Sequence, residues 1–228
     1  MSISRFIPVI LASGMVSFVA TPLLRRLAQR TNFMAYPATR RLHLTPMPML
    51  GGVAIYLGLV AAVVVGGMRT YRELLGVIGG ATVMTLFGLW DDRVDLKPLV
   101  KLMGQVIAGL ILVWAGIQVK LFDSQALNIG LTLFWVLGIT NAINFQDNMD
   151  GLAAGLATVA SGFFFMLAFA EGLGLVAMLA AATLGASIGF LYYNFNPASL
   201  FMGDAGSLLL GYVLAVLGIK LEFAAQTR

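Results

Sequence analysis

The chain contains no cysteine and a single histidine, His43. The first absence excludes disulfides, thiolate metal sites and a cysteine nucleophile; the second excludes a multi-histidine metal cage. Charge is scarce as well. Only 11% of the 228 residues are Asp, Glu, Lys or Arg, whereas 60% are hydrophobic and the mean hydropathy is +0.93. A water-facing surface normally draws on about a quarter charged residues, so this chain reads as an integral membrane protein. The long Lys/Arg tract of a nucleic-acid binder is also missing. The formal charge of +4 and the basic isoelectric point of 9.6 point instead to an anionic lipid surface. Any metal must be a hard cation held by oxygen.

What is present is a series of charge-free apolar runs. Spanning a hydrocarbon core takes roughly 20 residues of helix, and eight runs approach that length: Phe6 to Leu24, Met49 to Met68, Leu74 to Trp90, Leu102 to Val119, Ser124 to Ile143, Leu152 to Ala170, Leu173 to Tyr193 and Ala205 to Ile219. The first is read as a retained helix, because Arg25 and Arg26 follow it and no small-residue cleavage site is evident. Arg25, Arg26, Arg30, Arg40 and Arg41 are assigned to the first interhelical loop, which the positive-inside rule places in the cytoplasm. The expected fold is therefore all-α, a polytopic bundle of about eight transmembrane helices with its N-terminus outside. No repeat, low-complexity tract or soluble insertion interrupts it, so residues 1–228 are read as one domain. The pairs Gly151/Gly155 and Gly185/Gly189 are expected to allow close helix contact.

The few polar residues are unevenly placed. Six of the ten acids, Asp91, Asp92, Asp95, Asp147, Asp150 and Asp204, fall in or beside the odd-numbered loops, hence on one membrane face. Asn141, Asn144, Gln146, Asn148, Asn194 and Asn196 accompany them, and Arg40, Arg41, His43, Arg93 and Lys101 lie on the same side. Converging carboxylates repel one another unless a cation intervenes. Mg²⁺ suits that role, since it uses one or two carboxylates and completes its shell with water and phosphate. Carboxylates, a hard cation and basic groups at one membrane surface suit phosphoryl transfer to a phosphorylated lipid. Taken singly these pieces have duller readings: Asp91-Asp92 as a helix flank, His43 as a surface residue, and 147–151 as the start of a calcium loop that lacks its twelfth-position acid.

Four segments together resemble a known family. They are Arg40-Arg-Leu-His43-Leu-Thr-Pro46-Met-Pro48-Met-Leu-Gly51-Gly52; Gly88-Leu-Trp-Asp91-Asp92-Arg-Val-Asp95-Leu with Lys101 and Gln105; Asn141 to Gly155; and Asn194-Phe-Asn-Pro197-Ala-Ser-Leu-Phe201-Met-Gly203-Asp204-Ala-Gly206-Ser207. Their order is that of the polyprenyl-phosphate N-acetylhexosamine-1-phosphate transferases, glycosyltransferase family 4. The first segment and Asp95-Leu-Lys-Pro resemble the undecaprenyl-phosphate N-acetylglucosamine-1-phosphate branch more than the related phospho-N-acetylmuramoyl-pentapeptide transferases.

The resemblance implies transfer of a sugar 1-phosphate from a UDP-amino sugar to polyprenyl phosphate, with release of UMP, for cell-envelope polysaccharides such as lipopolysaccharide. It implies Mg²⁺, with Mn²⁺ as a substitute, held by Asp204 and Asn144. Asp91 would deprotonate or orient the lipid phosphate with Asp92 beside it, and Lys101 would neutralise phosphate charge. Asp147 and Asp150 would shape the nucleotide-sugar pocket, Phe201 would stack on uracil, Asn194 would hydrogen-bond nearby, and His43 would bind substrate. The partners implied are the two substrates and membrane lipids, with no nucleic acid and a homodimer as an admissible assembly. The implied location is the bacterial inner membrane, with the active site on its cytoplasmic face.

Two departures stand out: Asn148 occupies a position where many members have Gly, and the family's later helices and His-rich loop are expected to be lacking, which would weaken turnover. The competing readings are an ion-coupled transporter and a non-catalytic fragment. Against the transporter, none of the six acids lies mid-span.

Overall fold

The structure, a computed structural model, describes residues 1–36, 46–67 and 71–225. Arg40, Arg41 and His43, together with Met68 and Arg69, lie outside the described residues.

Each apolar run becomes a helix. In chain order they are α1 (Ile7–Arg30), α2 (Gly51–Gly66), α3 (Tyr71–Val94), α4 (Pro98–Trp114), α5 (Gln125–Gln146), α6 (Leu152–Ala170), α7 (Gly174–Asn194) and α8 (Gly203–Ala225). Six of these are long and apolar enough to cross a membrane, while Gly51–Gly66 and Pro98–Trp114 are shorter. The protein is thus a polytopic helical membrane protein. The other regular elements among the described residues are one 3-10 turn (Ile3–Arg5) and a two-stranded antiparallel ladder, β1 (Met34–Ala35) on β2 (Met47–Pro48).

The helix boundaries correct the sequence reading at the basic residues. Arg25, Arg26 and Arg30 are not in a loop: α1 continues through them, five residues or more beyond the apolar run. Polarity does not end a helix, and cations near a C-terminus are favoured by the helix dipole. In the same way Asp91 and Asp92 lie on the last turn of α3 and not beyond it.

The helix α8 is the axis of the bundle. It packs against α2, α3, α5, α6 and α7, and 78% of its apolar stretch is buried, against 22% for the stretch containing α1. A helix apolar all round must be enclosed by others, and residues 205–217 meet that condition without a single exposed side chain. Around this axis α7 carries α1, α2 and α6, while α3 carries α4, which in turn touches α5.

Close approach depends on small residues. A Cβ on Gly52 would lie 2.1 Å from the Gly206 nitrogen, and one on Gly189 would lie 2.3 Å from the Gly14 carbonyl oxygen. Gly185 and Gly189 therefore seat α1 on α7 as expected. The pair Gly151/Gly155 does not act in that way: Gly155 has nothing within 4 Å of such a Cβ, and Gly151 starts α6 at φ 74.

Contacts between loops show which helix ends meet. At one end Arg93 donates to the Asn32 carbonyl, the Phe201 N–H to the Pro48 carbonyl, and the Gly151 N–H to Asn194 Oδ1. At the other end Lys220 Nζ lies 2.9 Å from Glu73 Oε2, and Arg72 donates to the Trp114 carbonyl. The first end therefore gathers the C-termini of α1, α3, α5 and α7 with the N-termini of α2, α4, α6 and α8. It also holds the motif residues.

Candidate active site

Lys101 is the hub. It lies on the first turn of α4, where Pro98 begins the helix and its missing N–H costs nothing. The Lys101 ammonium is 2.5 Å from Asp91 Oδ2 on α3 and 2.9 Å from Asp204 Oδ2 on α8. Asn144, near the end of α5, donates its amide to Asp204 Oδ1 and, at 2.8 Å, to Ser207 Oγ. Four helices thus contribute one group each to a cluster centred on Asp204. The remaining oxygen of buried Asp91 accepts the Leu96 N–H at 2.7 Å, which ties the short α3–α4 connection to the carboxylate.

Asp92 faces the other way. Its two oxygens accept the N–H groups of Asp204 at 2.8 Å and Ala205 at 3.2 Å, at the start of α8. Adjacent residues on a helix point about 100° apart, so the acidic pair divides between the Lys101 cluster and the α8 terminus.

A second group of motif residues shapes the surrounding loops. Asp150 Oδ2 accepts the Ala198 N–H at 2.9 Å and the Asn196 amide at 3.2 Å, holding the connection between α7 and α8. Asn194 is buried, and its amide joins two backbones: its oxygen accepts from the Gly151 N–H and its nitrogen donates to the Leu200 carbonyl. The partly buried Phe201 sits in a backbone ladder, because its N–H donates to Pro48 and its carbonyl accepts from Gly51. The Met202 carbonyl accepts from Gly52, so the loop before α8 supplies the bonds that the first N–H groups of α2 would otherwise lack.

Asp147 closes α5 beside these groups. It keeps some exposed surface, yet the protein packed around it, and then the charges of Asp204, Asp92 and Asp150, hold its carboxyl well above the usual carboxylate range. Carboxylates outnumber ammonium groups here, and each disfavours the charged form of its neighbours.

The structure therefore brings Asp91, Lys101, Asn144 and Asp204 into direct contact, places Asp92 and Asp147 against them, and sets Asp150, Asn194 and Phe201 in the adjoining loops. Three residues quoted in the motif segments were given no role from sequence. Ser207 shares the Asn144 amide; its place four residues after Gly203, on the helix that carries Asp204, was the available signal. Gln105 and Asn141 form a reciprocal amide pair at 2.6 and 3.2 Å between α4 and α5, one turn below Lys101 and Asn144. Their spacing of four and three residues from the site residues marks them in retrospect.

No three Asp, Glu or His side chains converge as a self-sufficient metal cage among the described residues. With Asp92 committed to backbone and Asp91 to Leu96 and Lys101, the donors at the centre of the cluster for a hard cation are the Asp204 carboxylate and, after rotation of its amide, the Asn144 oxygen. That set is too small for a site built from protein alone, and it fits a cation completed by water and phosphate.

Comparison with known proteins places the chain in a family. The sequence pattern of glycosyl transferase family 4 matches residues 74–222. A probable undecaprenyl-phosphate N-acetylglucosaminyl 1-phosphate transferase of Bacillus subtilis is 34% identical over 94% of this chain and 63% of its own length. A decaprenyl-phosphate N-acetylglucosaminephosphotransferase of Mycobacterium tuberculosis is 37% identical, covering 90% of the chain and 57% of the relative. A phospho-N-acetylmuramoyl-pentapeptide-transferase of Desulforudis audaxviator is 35% identical over 90% of the chain and 74% of its length. The chain spans about three fifths of the first two relatives.

Proposed function

Because the chain belongs to glycosyl transferase family 4, we propose that it transfers N-acetylglucosamine 1-phosphate from the UDP-sugar to undecaprenyl or a similar polyprenyl phosphate. The products are a lipid-linked pyrophosphoryl sugar and UMP. The observation that carries this reading is the Lys101 ammonium shared between Asp91 and Asp204, with Asn144 on the far side of Asp204. It sets one ammonium among carboxylates at the end of a membrane bundle, where a lipid phosphate, a hard cation and a soluble nucleotide sugar can meet.

An oxygen of the lipid phosphate attacks the phosphorus that bears the sugar. A new P–O–P bridge forms, the bond to the bridging oxygen of the UDP diphosphate breaks, and that oxygen leaves with UMP. Both reactants are anions, so the main barrier that the protein can lower is their mutual repulsion. Lys101 counters that charge. Buried Asp91, fixed by the Leu96 N–H, orients the lipid phosphate and accepts its proton when it arrives as a monoanion. Asp147 and Asp150 border the nucleotide-sugar pocket, with Phe201 offering its ring to uracil and Asn194 holding the pocket loops. A Mg²⁺ ion held by Asp204 and Asn144 against the diphosphate would polarise the phosphoryl oxygens and neutralise the leaving group.

A phosphate oxygen is already a competent nucleophile, so direct attack needs no covalent enzyme intermediate. By the positive-inside argument the site faces the cytoplasm of a bacterial inner membrane, in cell-envelope polysaccharide synthesis. The test is to incubate membranes carrying the chain with polyprenyl phosphate and a panel of labelled UDP-sugars. Label from UDP-N-acetylglucosamine should enter the lipid extract and be returned by added UMP; absence of any labelled lipid across the panel would overturn the reading.

A further inference from the structure

The first N–H groups of a helix have no partner within it, and at α8 two of them are met by a side chain from α3. Asp92 Oδ1 takes the Asp204 N–H and Oδ2 the Ala205 N–H, across 112 and 113 positions of sequence. The backbone enters this turn through Gly203 at φ 71, where a Cβ would lie 2.5 Å from Asp92 Oδ2. Glycine is therefore required at 203 both by the left-handed backbone and by the carboxylate beside it. Four residues before Asp92, Gly88 closes the same seam: a Cβ there would lie 2.4 Å from the Ala205 nitrogen. Helices α3 and α8 thus fit backbone against backbone, with Asp92 as the clasp. The residue whose N–H it grips is Asp204, the centre of the Lys101 cluster.

We propose that Asp92 is a positioning residue, an N-cap supplied from another helix that fixes the height and direction of Asp204. The acidic pair then divides its labour: Asp91 faces the chemistry, and Asp92 holds the frame on which Asp204 stands.

The inference rests on the transfer reaction proposed above, and the test separates the two. Asp92→Asn keeps one of the two accepting oxygens but removes the charge, whereas Asp92→Ala removes both oxygens and the charge. Each variant is purified in detergent and its Tm, kcat, KM for both substrates and pH profile are measured. Asp92→Asn should keep kcat within about 10-fold of the parent, with an unchanged pH profile, since its amide oxygen can still accept one of the two α8 N–H groups. Asp92→Ala should lose about 100-fold in kcat with KM little changed, the scale of a misplacement near 1 Å, and should melt below Asp92→Asn.

Equal losses in Asn and Ala, or a pH limb missing from the Asn profile, would overturn the proposal by making the charge itself the working part. Ala matching Asn in both Tm and kcat would overturn it too, since the cap would then position nothing. If the Ala chain does not fold, transfer retained by the Asn variant supports the cap and a folded, inactive Asn variant refutes it. Absence of transfer by the parent chain removes the reaction reading instead, and the order of melting, Asn above Ala, still tests the cap.

Discussion

Lys101 and Asp204, 103 positions apart, meet at 2.9 Å at the end of the bundle where α4 and α8 begin. Both side chains are largely covered, at 23% and 28% exposure, and Asp91 on the other side of the ammonium is at 3%. Removing one member of such a group leaves an uncompensated charge in a partly dry site, which costs more than the pair contributes when intact.

Lys101→Met should therefore abolish transfer, with a loss of about 100-fold or more, and lower stability by about 1–3 kcal/mol. Lys101→Arg keeps the charge but replaces a compact ammonium with a planar fork, and should recover stability better than turnover. Melting curves in detergent and single-turnover transfer assays measure the two effects separately.

Asp204→Asn should remove Mg²⁺-dependent transfer while folded protein is still recovered at a lower Tm, because the new amide keeps the size but can accept only one of the two bonds that Asp204 takes from Lys101 and Asn144. Asp123→Asn, in the exposed loop at the opposite end of the bundle, should leave transfer unchanged. Near-normal Mg²⁺-dependent transfer by the Asp204 variant would remove the proposed centre.

Asp147 carries a pH prediction. Its folded pKa is raised by the surrounding protein and by Asp204, Asp92 and Asp150. The folded state thus binds this proton more tightly than the unfolded chain. The stabilisation is complete below the unfolded value of about 3.9 and is lost as pH rises through the folded value. In the absence of divalent cations, Asp147→Asn should raise Tm at neutral pH and flatten the gain on acidification, while lowering transfer. A variant less stable than the parent at neutral pH would contradict the crowding.

Gly52→Ala should separate α2 from α8 at the site, because the new Cβ would fall 2.1 Å from the Gly206 nitrogen. A cost of about 2 kcal/mol is expected from overpacking of this kind, with a fall in kcat as Asp204 shifts. Ala at Gly155, which meets nothing within 4 Å, is the control and should leave Tm unchanged.

The lack of native cysteine makes orientation directly measurable. Single cysteines at Asp95, Asn148 and Asn196 should react with an impermeant reagent only after the cytoplasmic face is opened, and one at Ser124 should react in intact cells. Labelling of Asn148 from outside would reverse the topology.

Apolar runs alone were enough to show that this chain is a membrane helix bundle and to locate the eight helices of the described residues. Spans of apolar residues are a local property, and a backbone in hydrocarbon can satisfy its polar groups within one helix. Sequence also showed which residues gather at one face, since successive helices joined by short connections alternate in direction. Tertiary structure decided what each acid does. Asp91 and Asp92 are neighbours of identical chemistry, and nothing local tells the one that meets Lys101 from the one that caps α8; the rotation of α3 against α8, set by Gly88 and Gly203, makes that choice. The same holds for Asn194 and Asp150, whose polar atoms hold loop backbone together, and for Ser207 and the Gln105–Asn141 pair, which gain meaning only when α4, α5 and α8 are packed. A hydrogen bond between residues a hundred positions apart leaves no periodic trace in the chain, because its geometry belongs to the packing of helices and not to either helix alone.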